Sequence, residues 1–308
     1  MMKIAFFGTG EFAGKILTAL LNNTDYSVDL VITQPDKKVG RKQIIEESPV
    51  KIIAKQHKLK IIQPESLKQN FDLSILNEID LNVVCQYGLI IPEAVLNIPA
   101  NKSLNIHTSL LPKYRGASPI QTALINGEKI TGITIMLMDK KMDHGPILSQ
   151  TKISIEPDDT CPLVSEKLAT MAIPQLLNTV KKWLAKQIEP QIQDETQATF
   201  CKIFTRDDGR INFTNNSESI YNQYRGLQPW PGIWTTIDDK RIKLTKITKT
   251  AAKNLKPGEI LISGNHIYAG CGQNSTIEIL SAQLEGRNNL PAAEFLNGMR
   301  DINEKILQ

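Results

Sequence analysis

Short unbroken apolar runs recur through the first part of the chain, at Lys3–Phe7, Val28–Thr33, Lys60–Ile62, Leu81–Cys85 and Ser103–Ile106. Between them lie stretches with helical spacing, Phe12–Leu21 the clearest. A strand that alternates apolar and polar residues shows one face to water, whereas an unbroken apolar strand is covered on both. Strands of that kind, separated by helices, run parallel. The pattern therefore predicts an α/β domain built on a Rossmann-like, mostly parallel sheet. From Ile133 the rhythm changes. Ile133–Met138 and Ile147–Ile155 flank Lys140–Pro146, a hairpin or a long return loop. Asp158-Asp159-Thr160 then supplies N-cap chemistry for a helix running toward Gln187, with Pro162 just inside it. Pro174 is expected to kink that helix or split it.

Gln187–Phe204 is polar and aperiodic and reads as a linker. Beyond it, strand-like pieces at Ile233–Ile237, Ile242–Leu244, Glu259–Ile262, His266–Tyr268 and Thr276–Leu280 lie between Gly, Asn and Pro turns. That is the pattern of a small β-barrel or sandwich, and an OB-like barrel is the expected form. The expected division is a first domain over 1–187, a linker over 188–206 and a C-terminal domain over 207–308.

A length of 308 residues agrees with two domains, and 41% hydrophobic with 22% charged residues is ordinary globular composition. The net charge of +4 permits an anionic partner without demanding one. The opening MMKIAFFGTG reads as a first strand rather than a signal peptide, and no apolar run is long enough to span a bilayer. Cys85, Cys161, Cys201 and Cys271 stand far apart with no CxxC pair, so free thiols are expected and a metal site or disulfide is not. A cytoplasmic, monomeric protein fits these features.

Gly8-Thr9-Gly10 follows a strand and opens a helix, as a dinucleotide-binding loop does, but Gly14 comes one residue late for GxGxxG. No ribose-binding acid follows the second strand, which runs into Gln34-Pro35-Asp36. A tight structural turn is the better reading, and NAD is not expected.

The chemistry concentrates between Ser103 and Pro146. Ligands of a parallel sheet sit outside the carboxyl ends of its strands. Asn105 and His107, two apart at a strand end, point to one face. An Asn amide and a His can donate to a developing oxyanion, and the His can exchange a proton. Asp143, in an Asp-His-Gly-Pro turn, is the candidate acid to orient that His. His144 beside it can line the same site. Ser109 lacks a GxSxG elbow, so direct acyl transfer to a nucleophile brought by a second substrate is favoured over a covalent intermediate.

Asn105-Ile106-His107-Thr108-Ser109-Leu110-Leu111-Pro112-Lys113-Tyr114-Arg115-Gly116-Ala117-Ser118-Pro119 resembles the signature of the 10-formyltetrahydrofolate-dependent formyltransferases. Gly132-Ile133-Thr134 through Met142-Asp143-His144-Gly145-Pro146 resembles the family's second block. Gln34-Pro35-Asp36 and Gln228-Pro229-Trp230-Pro231 extend the likeness over the whole chain. The resemblance implies that Asn105, His107 and Asp143 are the catalytic trio and that Ser109, Leu110, Leu111 and Pro112 contact the folate. Gln86-Tyr87-Gly88-Leu89-Ile90 would form another wall of that pocket. The Leu111–Pro112 bond, in a tight turn beside a pocket, is a candidate for cis.

The acceptor implied is the amine of methionine esterified to initiator tRNA. Arg41, in the basic loop Lys37-Lys38-Val39-Gly40-Arg41-Lys42, matches the family's key tRNA-contacting Arg, while Lys42 stands where the family often has glycine. In the second domain Lys240, Arg241, Lys243, Lys246, Lys249, Lys253 and Lys256 follow one another with no acid between them and are expected to meet phosphates. Trp230 and Trp234 are expected in a core or an interface. The alternative, a formyltransferase acting on a sugar amine, is disfavoured by the two basic segments. A nicotinamide oxidoreductase lacks its acid, and a non-catalytic RNA-binding protein leaves the trio unexplained.

Overall fold

The first apolar run forms β1 (Met2–Gly8), and its alternate residues are buried in opposite directions. Ala5 and Phe7 join a core with Leu30, Ile32, Leu76, Val84 and Val95, while Ile4 and Phe6 are equally buried outside that cluster. Covering both faces is what an unbroken apolar strand requires. The model is a computed structural model and describes residues 1–39, 44–69, 71–298 and 305–308. It resolves into two units: Met1–Pro119 with Ile130–Ser154 and Ser165–Lys202, and Ile120–Lys129 with Ile155–Val164 and Ile203–Gln308.

Following β1, the chain forms α1 (Glu11–Leu21), β2 (Tyr26–Ile32), a hairpin of β3 (Lys37–Val39) and β4 (Ile44–Glu46), α2 (Pro49–Gln56), β5 (Lys60–Ile62) and β6 (Leu81–Cys85). Then come α3 (Glu93–Leu96), β7 (Ser103–His107), β8 (Arg115–Gly116), α4 (Pro119–Ile125), β9 (Ile130–Leu137), β10 (Ile147–Ser154), α5 (Cys161–Leu184) and β11 (Phe200–Cys201). The main sheet has the order β10-β9-β7-β6-β1-β2-β5. Strands β7, β6, β1, β2 and β5 are parallel, and β9 and β10 add an antiparallel edge. The carboxyl ends of β1, β6 and β7 fall together, where the order reverses around β1.

Helix α5 runs unsplit through Pro174, so of the two outcomes expected from sequence, a kink or a split, the split does not occur. Leu168, Ala172, Leu176 and Val180 form a stripe at four-residue spacing, each buried to 1% exposure or less. Burying that stripe outweighs the roughly 3 kcal/mol that an internal proline costs.

The second unit carries α6 (Ser217–Gly226), β12 (Ile233–Ile237), β13 (Lys240–Thr250), β14 (Ile260–Ser263), β15 (His266–Cys271), β16 (Ser275–Leu284), β17 (Asn289–Pro291) and α7 (Ala292–Asn297). Its antiparallel sheet has the order β12-β13-β16-β15-β14, with β17 also on β16. Residues 306–308 connect the outer strands: Gln308 exchanges backbone hydrogen bonds with Thr236 of β12, and Leu307 donates to Gly258, ahead of β14. The sheet wraps a core that includes Ile220, Leu227, Ile233, Leu244, Ile267 and Ile277.

Candidate active site

Strand β7 delivers Asn105 and His107 to one face, as the two-residue period requires. The return loop between β9 and β10 brings Asp143 to them. Asn105 Nδ2 donates to Asp143 Oδ1 at 3.3 Å, and the backbone N–H of Gly116 donates to Asp143 Oδ2 at 2.8 Å. His107 Nδ1 stands 3.6 Å from Asp143 Oδ1. The three residues named from sequence are thus one constellation.

The histidine's tautomer follows from its other nitrogen. His107 Nε2 lies 2.9 Å from the Tyr114 carbonyl, which can only accept, so Nε2 carries a proton. In the neutral ring Nδ1 then presents its lone pair to the Asp143 carboxylate across a gap too long for a hydrogen bond. Two acceptors facing each other in this way make a receiver for one proton. His107 is only 6% exposed, so little water screens the pair.

The Ser109–Pro112 turn is satisfied largely from within. Thr134 Oγ1 donates to the Ser109 carbonyl (2.6 Å) and accepts from Leu111 N (3.1 Å), and Gln150 Nε2 donates to the Leu111 carbonyl (2.8 Å). Ser109 is buried with its hydroxyl on the Lys113 carbonyl, and Leu111 is buried too. What the turn shows is the half-buried Leu110 side chain and Pro112 ring. The Leu111–Pro112 bond is cis. Of the second wall, Tyr87 points inward, edge-on to Phe7 with ring centroids 5.5 Å apart, and Ile90 is exposed.

The glycine loop is knitted into its surroundings. Thr9 Oγ1 and Gln34 Nε2 both donate to the Tyr87 carbonyl, at 3.1 and 2.7 Å. A side chain at Gly10 would meet the Gln86 amide. This closed network agrees with a structural turn.

From sequence Arg115 is only part of the signature and the segment after α5 only a linker; the structure joins them beside Asp143. Arg115, 2% exposed, forks onto Glu195 (3.0 and 2.6 Å) and onto Gln193 Oε1 (3.1 and 2.8 Å). Arg115 holds the Glu195 carboxyl below the usual glutamate range, chiefly by hydrogen bonding. Strand β11 pairs with β8 in the same stretch. Gly116 there has φ of +118°, and a Cβ would run into the Cys201 carbonyl, so glycine is required. The stretch expected to be a plain linker is thus hydrogen-bonded to the loop that serves Asp143. Its partners are polar and irregular, so no periodicity announces them. His144 contacts Asp139 (2.6 Å) and Glu195 (3.5 Å) rather than the trio.

Within the second unit, Lys240, Lys246, Lys253 and Lys256 are exposed on and after β13. Arg241 lies over the Trp234 ring at 4.2 Å, Lys243 reaches the Pro229 carbonyl at 3.3 Å, and Lys249 pairs with Glu218 of α6. The basic run is therefore partly engaged by its own unit. Trp234 is buried, with Nε1 on the Arg206 carbonyl at 2.8 Å, whereas Trp230 is 59% exposed and not a core residue. Arg41 and Lys42 lie outside the described residues.

The family model for Formyl transferase matches residues 2–180, and that for Formyl transferase, C-terminal domain, matches residues 203–300. A methionyl-tRNA formyltransferase of Caldanaerobacter subterraneus is 42% identical over 96% of this chain and 97% of its own. One from Acidobacterium capsulatum is 39% identical over 96% of both chains. Among solved structures, the sugar 3N-formyl transferase WlaRD superposes with a TM-score of 0.68 at 21% identity, covering 94% of this chain and 99% of that one. An N-formyltransferase from Helicobacter canadensis gives 0.66 at 21% identity, covering 91% and 99%. These two structures speak to the fold alone, whereas the near-full-length relatives and both family models agree on descent: the chain belongs to the formyl transferase family, among the methionyl-tRNA formyltransferases.

Proposed function

We propose that this chain transfers a formyl group from 10-formyltetrahydrofolate to the amino group of methionine esterified to initiator tRNA. The products are N-formylmethionyl-tRNA and tetrahydrofolate, and the reaction belongs to the cytoplasm. The observation that carries the chemistry is the convergence of Asn105, Gly116 N–H and His107 on Asp143. The substrates are supported by the relatives named above, which match over nearly their whole length.

The amine nitrogen attacks the formyl carbon, and the carbonyl π pair moves onto oxygen. The second N–H of Asn105 Nδ2, beyond the one on Asp143, stabilises that oxyanion. The proton shed by the attacking nitrogen enters the gap between Asp143 Oδ1 and His107 Nδ1, which a single proton satisfies. Collapse of the intermediate breaks the bond from the formyl carbon to N10 of the folate, and N10 takes up a proton. No protein nucleophile is needed, because both substrates are held at one site. Leu110 and Pro112 offer apolar contact to the folate, with Ile90 on the second wall. Lys240, Arg241, Lys243 and Lys246, with Arg41 and Lys42, would meet tRNA phosphates.

Incubating the protein with 10-formyltetrahydrofolate and methionyl initiator tRNA should give formylmethionyl-tRNA, whereas a sugar amine should stay unformylated. The reverse result would establish the sugar alternative. Asn105→Ala should lower the transfer rate by about a hundred- to thousandfold, the typical loss on removing an oxyanion donor. Near-normal turnover by a folded Asn105→Ala protein would remove the mechanism.

A further inference from the structure

We propose that Gln193 is a positioning residue for the transfer, holding Asp143 in place as the middle member of a clasp with Arg115 and Glu195. This rests on the reading of Asp143 as proton acceptor.

Asp143 needs such support. It is a non-glycine residue with φ of +49°, an uncommon backbone state that its surroundings must hold. Its carboxylate is oriented by Asn105 and the Gly116 N–H, but those bonds leave its backbone undetermined. Gln193 acts on that backbone. Its Nε2 donates to the carbonyls of both Asp143 (2.9 Å) and Gly145 (2.8 Å), bracketing the turn.

The amide cannot flip without loss. Gln193 Oε1 accepts from Arg115 Nε (3.1 Å) and Nη2 (2.8 Å), so the oxygen must face the guanidinium and the nitrogen must face the carbonyls. All four hydrogen-bonding positions of the amide are used. Gln193 is 5% exposed, so water does not substitute for a missing partner. Arg115 is fixed in turn by the bidentate Glu195 carboxylate and by the pairing of β8 with β11. Its chain neighbour Gly116 supplies the N–H on the Asp143 carboxylate. One short stretch therefore grips Asp143 twice, through its side chain directly and through its backbone by way of Gln193. The 3.6 Å gap to His107 is the distance this double grip sets.

Gln193→Met keeps the length of the side chain and removes all four hydrogen bonds. In single-turnover transfer, it should lower the maximal rate by about ten- to a hundredfold, the scale of a small misplacement of a reacting group. The KM values for folate and methionyl-tRNA should stay within about twofold, since ground-state binding is not altered. A purely structural role is separated by repeating the substitution in an Asp143→Asn background. A residue that acts through Asp143 has nothing left to position there, so the added effect should vanish. An unchanged rate for Gln193→Met, or an equal loss in the Asp143→Asn background, would overturn the clasp. Should Gln193→Met fail to fold, Glu195→Ala tests the same chain, because Glu195 is 57% exposed on its side chain. It should slow transfer several-fold, again only when Asp143 is present. If Asp143→Asn itself transfers normally, the reading of Asp143 falls and takes the clasp with it.

Discussion

Glu195 shows how an exposed residue can report on a buried one. Its carboxylate is bound by Arg115, which lowers its pKa from the ordinary 4.5 in the folded protein. Between the two values the unfolded chain binds more protons than the folded one, so stability rises with pH across that window. The contribution is complete above about 4.5 and drains away as pH falls through the lowered value. Glu195→Gln should therefore be less stable than the parent at neutral pH, and the two should converge in acid. Urea unfolding of both proteins from pH 3 to 7 checks this, and a difference that grew toward low pH would contradict it. The same residue marks a limit of sequence reading. Glu195 and Gln193 sit in a polar, aperiodic stretch, and nothing local reveals that a buried guanidinium needs them.

At the scale of elements, the Ser109–Pro112 turn depends on β9 and β10. Thr134 is fully buried, and its single hydroxyl serves Ser109 and Leu111 of the turn while accepting from Gln150 of β10. Thr134→Val keeps the shape and leaves a buried carbonyl and a buried N–H short of a partner. It should cost about 1–3 kcal/mol, read from the shift of the urea midpoint. A shift within the scatter of the parent would mean that the turn relaxes onto other partners. The strands themselves were legible because burial on both faces is written into consecutive residues. The uninterrupted course of α5 through Pro174 was not, because the proline is local information and the stripe that overrides it acts through packing.

For the molecule as a whole, two substrates of different charge are to be handled. Apolar contacts of the kind proposed for Leu110 and Pro112 respond little to salt, whereas phosphate contacts release counterions and weaken steeply as salt rises. The KM for methionyl-tRNA should climb with added KCl while that for 10-formyltetrahydrofolate stays level. Replacing Lys240 and Lys246 together by Ala should flatten the climb, since each phosphate contact contributes roughly 0.7–0.9 to the log–log slope. Equal salt slopes for the variant and the parent would remove these two lysines from the tRNA surface. Arg241 and Lys243 are poorer choices for the test, because their loss also disturbs Trp234 and the Pro229 carbonyl.

Read alone, the sequence determined what is periodic or contiguous: a parallel sheet covered on both faces, a separate antiparallel unit, and Asn105 and His107 side by side at a strand end. Those follow from strand geometry and from the continuity of apolar runs, which each segment carries in itself. Asp143 was legible as a candidate acid from its Asp-His-Gly-Pro turn, but its reach to Asn105 across 38 positions belongs to the fold. So do the protonated Nε2 of His107, the inward turn of Ser109 and Leu111, the exposure of Trp230 and the grip of Gln193. Asp143 and Gln193 meet groups 27 to 50 positions away along the chain, whereas His107 and Ser109 meet carbonyls seven and four positions on, whose direction the fold sets. A hydrogen bond between remote segments leaves no period for a sequence to display, and only the packed chain decides which donors and acceptors meet.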